Sequence, residues 1–433
     1  MAGQKVRVVV VGGGIGGLVA AAFLAQRGHQ VTVLERRQRY AESEFLEAAQ
    51  GINLTKNVWT CFGALGMTSD FEQISDYGKD CTVRKHTDGS TARIVNSLNG
   101  HRFVHRTDLL RLLYQYATTA GATVLQGESF TEISETSEGV NLKLQSGKTL
   151  IADLVIGADG IHSKVRSHIP SAKHIQPVLT GDCTFLVDGP KEVMQRHVAS
   201  SALYNDGVPP FHLWTAPQRS IVAWTMTRHQ RYHLQMNDHS YGTGAAYGLD
   251  EVDTEGAFVD RYPDMEAFRR RWSDFEPALR DLLGETVAVT KWRIAELPEL
   301  PSWSSESGRI VLLGDAAHAF PPYAGQGAAM AIEDATLLAA LVSRSACSQT
   351  MLSITRAYEN LRRPRIVGFR DIIKRNIQQW SAEKPNVEAQ QPSVNGAIPS
   401  GAQGAWSTME RYQWIDGYDA VAEAINCHFD AKL

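Results

Sequence analysis

No apolar run in this 433-residue chain is long enough to span a bilayer, no two of its five cysteines lie close together, and no polybasic run interrupts its mixture of charges. The first absence argues against an integral membrane segment. The second leaves Cys61, Cys81, Cys183, Cys347 and Cys427 without a C-x-x-C redox pair or a zinc-ligand spacing, so no metal is expected and free buried thiols in a reducing compartment are. The third, with a formal net charge of −4, gives no reason to expect nucleic acid or an acidic membrane as partner. What remains, 43% hydrophobic and 21% charged, is the composition of a soluble globular protein of two or three domains.

The clearest positive signal is the stretch VVVVGGGIGGLVAAAFLAQRGHQVTVLER from Val8 to Arg36. Gly12, Gly14 and Gly17 form G-x-G-x-x-G directly after the apolar run Val6–Val11, and Leu18, Ala21, Ala22 and Ala25 follow at helical spacing until Gly28. A second β-branched run, Val31–Leu34, ends in Glu35. In such a strand–helix–strand unit the first glycine permits a tight turn, the second lets backbone approach a pyrophosphate, and the third lets the helix lie close to the strand. An acid at the tip of the second strand can accept hydrogen bonds from both ribose hydroxyls. Which dinucleotide sits there is left open by this motif alone.

Further along, LEAAQGINLTKN (Leu46–Asn57) reads as a loop entering a helix, and KHTDGSTA as a hairpin turn centred on Asp88-Gly89. Val104–Ala117 has helical leucine spacing with Thr107 or Asp108 as its expected cap. Ala122–Ala152 reads as an antiparallel meander. From about Ser171 to Lys291 aromatics become frequent, with a strand at Ser220–Thr227 and a helical stretch near Met265–Leu283. Residues 384–405 read as a loop, and Trp406–Ala424 as a last amphipathic stretch.

Two more segments repeat the arrangement of an apolar strand followed by an acid. ADLVIGADGIHSKVR (Ala152–Arg166) presents Asp159 and Gly160, and GRIVLLGDAAHAFPPYAGQGAAMAIEDA presents Asp315, with Gly325 and Gly327 ahead of a helix expected from Ala328. Acids at the carboxyl ends of parallel strands mark the ligand side of an open α/β sheet. A helix N-terminus beyond Gly327 turns a positive dipole end toward that ligand side. His318, inside this scaffolding motif, reads as a structural histidine.

Together the three segments resemble the group A FAD-dependent monooxygenases with the p-hydroxybenzoate hydroxylase fold, and within them the salicylate hydroxylase-like enzymes. The resemblance covers nearly the whole chain. It implies an α/β architecture, with a discontinuous Rossmann-like FAD-binding domain (1–75, 98–170 and 292–345), a sheet-based substrate domain (76–97 and 171–291) and C-terminal helices (346–433). It implies that Gly12, Gly14, Gly17 and Glu35 hold the ADP half of FAD, that Asp159 and Gly160 lie near the pyrophosphate, and that Asp315 binds the ribityl hydroxyls. Arg106, in HRTDLLRLL, is implied as a further cofactor contact, and Ala49, Gly325, Gly327 and Ala328 are placed with the cofactor too. WIDGYDA (Trp414–Ala420) also looks like the end of salicylate hydroxylase-type chains.

The implied chemistry is FAD reduction by NADH or NADPH, O2 addition to give a flavin C4a-hydroperoxide, and transfer of one oxygen to a small aromatic or heteroaromatic substrate. No second G-x-G-x-x-G exists for the pyridine nucleotide, which suits a family in which the nicotinamide visits transiently. A flavin disulfide reductase would need a closely spaced cysteine pair, which this chain lacks. The chain departs from many relatives at Leu186, where they carry an arginine, and at Ser220 and Trp224, where they carry a histidine and a tyrosine. These departures favour a bulkier or less acidic substrate. His212 is the substitute base if its strand faces the pocket, and Trp224, with Trp214, is a candidate pocket wall; Asn53 sits where some relatives contact substrate. Flavin-dependent epoxidation of an indole or another secondary metabolite is the alternative reaction, since it needs no phenolate, and a non-catalytic flavin-binding protein is the alternative class. The expected compartment is the cytoplasm, or the peroxisome if the terminal Ala431-Lys432-Leu433 acts as an S-K-L-type address.

Overall fold

The computed structural model describes residues 5–38, 51–78, 80–95, 100–204, 211–241, 259–261, 264–344, 350–380 and 414–427. In chain order its strands are β1 (Arg7–Val11), β2 (Gln30–Glu35), β3 (Gly51–Leu54), β4 (Ser75–Gly78), β5 (Cys81–Lys85), β6 (Thr91–Val95), β7 (His101–His105), β8 (Thr123–Gln126), β9 (Phe130–Thr136) and β10 (Gly139–Leu144). They continue with β11 (Thr149–Ala152), β12 (Leu154–Gly157), β13 (Val178–Pro190), β14 (Phe211–Ala216), β15 (Arg219–Met226), β16 (Arg231–Asp238), β17 (Val259–Arg261), β18 (Thr290–Glu296) and β19 (Ile310–Leu312). The helices that matter for the site are α1 (Ile15–Gln26), α2 (Arg106–Thr119), α3 (Met265–Arg271), α4 (Pro277–Glu285), α5 (Gly327–Arg344) and α6 (Met351–Trp380).

A five-stranded sheet of order β19-β12-β1-β2-β8 is parallel throughout. Its inner strands are apolar runs such as Val8–Val11 and Leu154–Ile156, because helices or strands cover both faces and no alternation is required. α1 packs on it and is itself buried nearly all round, from Ile15 to Ala25. This sheet, α1, α5 and part of α6 share one large hydrophobic core.

The second sheet has eight strands in the order β17-β18-β13-β16-β15-β14-β5-β6. Its outer face is covered by α3 and α4, where Phe185, Trp214, Tyr232, Phe268 and Trp272 form a separate core. On its inner face Phe211 and Trp224 stack on Phe103 of β7, with ring centroids 6.1 and 5.3 Å away. That aromatic stack joins the sheet to the small β3-β7-β4 sheet of the dinucleotide half.

Several local expectations change. Only β9, β10 and β11 form the antiparallel meander; β8 pairs in parallel with β2, because it completes the buried sheet. The capping residue of α2 is His105, whose Nδ1 accepts from the Thr107 N–H. The stretch 265–283 is two helices, since the chain turns at Trp272–Glu276 and restarts at Pro277. Residues 51–54 are a strand before the helix Val58–Leu65, while 46–50 lie outside the described residues. The domain boundaries drawn at 75/76 and 291/292 each cut a strand, β4 and β18. The hairpin at Asp88-Gly89 is present, with Gly89 at φ 70. The loop at 384–405 and the tripeptide 431–433 lie outside the described residues, and the last stretch is described only from Trp414, with a helix at Ala420–Asn426.

Candidate active site

The parallel sheet places its motifs side by side. β2, β1, β12 and β19 are consecutive neighbours, so Glu35, the Gly12–Gly17 turn, Asp159 and Asp315 all follow the carboxyl ends of adjacent strands. Three strand spacings of about 4.8 Å make that row roughly 14 Å long, the reach of an extended dinucleotide rather than of a single small group.

The glycines differ in what they do. Gly12 has φ 105, and a Cβ there would lie 2.3 Å from the carbonyl oxygen of Ala158. A Cβ on Gly17 would lie 2.0 Å from the Gly12 carbonyl oxygen, so this glycine lets α1 lie against the turn. Gly14 has an ordinary extended backbone (φ −72, ψ −176) and meets nothing within 4 Å. Its missing side chain therefore faces open space at the N-terminus of α1, where unpaired N–H groups and the positive end of the helix dipole attract phosphate.

Glu35 is buried, and its carboxylate accepts from the Gly13 N–H and the Arg37 N–H, both at 2.9 Å. It thus braces the glycine turn, a task its sequence position did not reveal. Asp159 is similarly engaged. It accepts from Ser163 Oγ at 2.5 Å and from the backbone of Lys164 at 2.7 Å and Val165 at 3.2 Å, fixing the turn after Gly160, and burial pushes its carboxyl up. Gly160 itself has φ 78 and open space beside it.

Asp315 remains open to solvent, yet the protein crowds it enough to push its carboxyl up against the opposing pull of His318 and Arg106. A group both accessible and crowded lies in a cleft. Arg106, at the start of α2, reaches the same place from a different domain segment. Gly325 has φ 62, Gly327 starts α5 with nothing within 4 Å of a would-be Cβ, and Ala328 follows in the first turn. Across from Gly325 lies Asn53 of β3, its Nδ2 3.8 Å from that glycine's would-be Cβ and its Oδ1 buried with no partner among the described residues. An orphaned buried oxygen beside open glycine backbone is a place for a ligand's donor group. Ala49 lies outside the described residues.

Beneath this loop is a buried ionic network that the sequence did not suggest. Arg362 of α6 donates to Glu333 and Asp334 of α5, both at 2.6 Å, and Arg365 donates to Glu333 at 2.7 and 2.8 Å. Asp334 also accepts from the Gly314 N–H at 2.9 Å and is 2.6 Å from His318 Nε2. Asp334 therefore holds the strand end ahead of Asp315, and His318 is bound to the same carboxylate oxygen. Cationic and hydrogen-bonding neighbours hold the Asp334 carboxyl far below the usual range despite burial.

The substrate-domain candidates separate by face. His212 and Trp214 alternate with Phe211 and Leu213 on β14, and they point to the outer, helix-covered side. There His212 Nδ1 is 2.6 Å from the Tyr232 hydroxyl, burial pushes its pKa down to about 3, and Trp214 Nε1 donates to Glu276 at 2.5 Å. This register removes His212 as a base for chemistry at the inner face, and Trp214 as a pocket wall. Trp224 does face inward, against Phe103, Phe211 and His233.

On that inner face, β13 and β16 form four cross-strand rungs: Asp188–His233, Leu186–Gln235, Thr184–Asn237 and, just beyond the paired strands, Asp182–His239. Asn237 accepts from Thr184 Oγ1 at 2.8 Å and from Gln235 at 3.2 Å, and donates to Ser220 Oγ at 3.1 Å. Leu186 and Ser220 thus belong to a face with a neutral polar ladder at its middle. His233 is 2.8 Å from Asp188, and His239 is 3.1 Å from Asp182. Near the first of these, His229 is 2.6 Å from Asp108 and stacks on His105 at 4.4 Å. Their ligand-type atoms lie within 4.8 Å of one another, but the Asp108 hydrogen bond and the capping bond of His105 account for the cluster as it stands.

Residues 5–245 and 271–369 match the family described as FAD binding domain. The salicylate hydroxylase of Pseudomonas putida is 26% identical over 441 residues, covering 96% of this chain and 93% of the relative. The 6-hydroxynicotinate 3-monooxygenase of Pseudomonas fluorescens is 28% identical over 348 residues, covering 78% and 82%. A solved salicylate hydroxylase substrate complex superposes with a TM-score of 0.76 at 21% identity over 99% of both chains, which establishes the shared fold. Among the described residues no helix is long and apolar enough to cross a membrane. With the glycine turn, the row of strand-end acids and the two-sheet architecture already in place, the chain belongs to the FAD-binding-domain family, among the salicylate hydroxylase-like FAD-dependent aromatic monooxygenases.

Proposed function

We propose that the protein uses NADH or NADPH and O2 to insert one oxygen atom into a small aromatic or heteroaromatic ring. The observation that carries this reading is the adjacency of β2, β1, β12 and β19, which brings four ligand-side motifs into one row. In this reading Gly12, Gly14 and Gly17 cradle the ADP half of FAD, with Glu35 shaping the turn and its remaining lone pairs open to ribose hydroxyls. Asp159 and Gly160 border the pyrophosphate. Asp315 and Arg106 take the ribityl region, and Gly325, Gly327 and Ala328 flank the ring; Ala49 is assigned to the same cofactor. The fit rests on the open space at Gly14 and Gly327 and on the unpartnered Asn53 Oδ1.

Bound FAD would supply the redox chemistry, accepting electrons from the pyridine nucleotide and delivering oxygen to the ring. The chain's own residues bind and enclose. The aromatic stack of Phe103, Phe211 and Trp224 closes one end of the inner face, Tyr323 closes the other, and the Leu186, Val222 and Leu213 side chains line it with apolar surface. Enclosure keeps water from intercepting a reactive oxygen donor. The ladder of Thr184, Asn237, Ser220 and Gln235 offers hydrogen bonds without charge, which suits a substrate held by neutral polar groups.

The test is to load the purified protein with FAD and screen aromatic acids, phenols and indoles for oxygen-coupled NADH or NADPH consumption with product mass. A gain of one oxygen, labelled when 18O2 is supplied, is expected. Nucleotide oxidation unaffected by every compound would contradict the reading.

A further inference from the structure

We infer that His239, oriented by Asp182, is the proton acceptor for a ring hydroxyl of the substrate. This inference rests on the monooxygenase reading above and adds the base that His212 cannot supply from the outer face.

His239 and Asp182 continue the inner-face rungs of β16 and β13 toward the flavin loop. The His239 side chain is 2% exposed and its Nδ1 is 3.1 Å from Asp182 Oδ2. The same oxygen accepts from the Tyr323 hydroxyl at 2.7 Å, and the His239 and Tyr323 rings lie 5.0 Å apart. Tyr323 belongs to the loop between Asp315 and Gly327, so this triad ties the substrate sheet to the cofactor half.

A carboxylate accepting from Nδ1 fixes the tautomer with its proton on Nδ1, leaving a lone pair on Nε2. His239 Nε2 is buried and has no hydrogen-bond partner among the described residues. A buried acceptor left unpaired is costly, so its persistence calls for a donor that arrives with a ligand. When that donor is a ring hydroxyl, the O–H bond breaks and an Nε2–H bond forms. The ring oxygen keeps the electron pair, and the imidazolium is held by Asp182. An anionic ring oxygen makes the ring electron-rich, which oxygen transfer requires.

Two other buried histidines paired with a carboxylate, His233 and His318, do not fit. His233 has a carboxylate partner in Asp188, but it is walled in: a Cβ on Gly51 would sit 2.8 Å from both its Cδ2 and the Trp224 ring. His318 is committed to Asp334 below the loop. Among the described residues the charged and titratable groups that face His239 are Asp182 from β13 and Tyr323 from the loop; Asp238, next to it in sequence, points to the opposite face and is held by Arg271 at 2.7 Å. Asn237 lies two residues away on the same face, about 7 Å along the strand, so one six-membered ring can reach both groups. The substrate class is therefore a hydroxylated aromatic or heteroaromatic ring whose hydroxyl points to His239 while neutral polar substituents meet Asn237, Ser220 or Gln235.

The test uses 4-nitrophenol and 4-nitrocatechol, whose phenolates are visible, bound to the FAD-loaded protein and titrated with pH. FAD uptake is recorded first in the same samples. The wild type is expected to hold at least one probe as phenolate about one pH unit or more below its free pKa, tenfold in the ionised ratio. His239→Gln should abolish that shift while FAD uptake and thermal unfolding stay normal, and Asp182→Asn should remove most of it. If His239→Gln does not fold, 15N spectra of histidine-labelled wild type and Asp182→Asn report the Nδ1–H tautomer of His239 and its loss. A probe bound equally well as phenolate by His239→Gln, a wild type that shifts neither probe, or the opposite tautomer overturns the assignment. Failure to take up FAD at all counts instead against the monooxygenase reading.

Discussion

Replacing Gly14 with alanine adds one methyl group at a position where the folded protein leaves nothing within 4 Å, on a backbone at φ −72 that alanine adopts readily. Folding should barely register the change, within about 0.5 kcal/mol, as for other surface substitutions. If a pyrophosphate fills that space, the methyl stands where phosphate oxygens approach the N-terminus of α1, and the loss appears entirely in FAD affinity. Gly12→Ala is the informative partner. Its Cβ would lie 2.3 Å from the Ala158 carbonyl oxygen and 2.9 Å from the Asp159 Cα, on a backbone at φ 105. Positive φ costs about 1–2 kcal/mol and overpacking about 1–3, so some 2–5 kcal/mol must be lost between folding and cofactor binding. Thermal unfolding of the apoproteins and titration of FAD by flavin fluorescence separate the two. Gly14→Ala should unfold with the wild type and bind FAD at least tenfold more weakly, whereas Gly12→Ala should lose on both measurements. Gly14→Ala protein that binds FAD as tightly as the wild type would refute the placement of the pyrophosphate.

Arg362→Met should destabilise the protein by about 3–5 kcal/mol in urea unfolding, because two buried carboxylates, Glu333 and Asp334, lose a shared partner. It should also weaken FAD uptake, since Asp334 holds Gly314 and His318. His101 and His212 are kept neutral by burial, each pushed down to about 3. Because these values lie below the unfolded one, the unfolded chain takes up the protons first. Their contribution is complete above about pH 6.5 and is lost as pH falls toward 3, at about 1.4 kcal/mol per unit for each, which urea midpoints between pH 7 and 5 should reveal. Burial pushes the Cys61 and Cys81 thiols up to about 12, so both should resist a thiol-disulfide reagent in the folded protein and react on unfolding.

The parallel sheet and its ligand edge were readable because each motif is local: an apolar run, a glycine and an acid within a few residues. What those acids do was not. Glu35 and Asp159 spend hydrogen bonds on the backbone turns around Gly13 and Val165, a fact of tertiary geometry. The orientation of His212 depends on the register of β14, where a shift of one residue exchanges the faces, and its neighbours' apolar character does not distinguish them. The Asp182–His239 pair joins residues 57 apart through antiparallel pairing, and Arg362 reaches Asp334 across two helices. No short motif marks either.

Residues from distant segments are proposed to form one FAD site serving oxygen insertion into an aromatic ring. The most direct measurement is the visible spectrum of the purified protein offered FAD, followed by product mass under 18O2. Stoichiometric bound flavin and a hydroxylated ring product carrying one labelled oxygen are expected. A colourless protein, or bound flavin that never delivers oxygen to any compound in the aromatic panel, would contradict it.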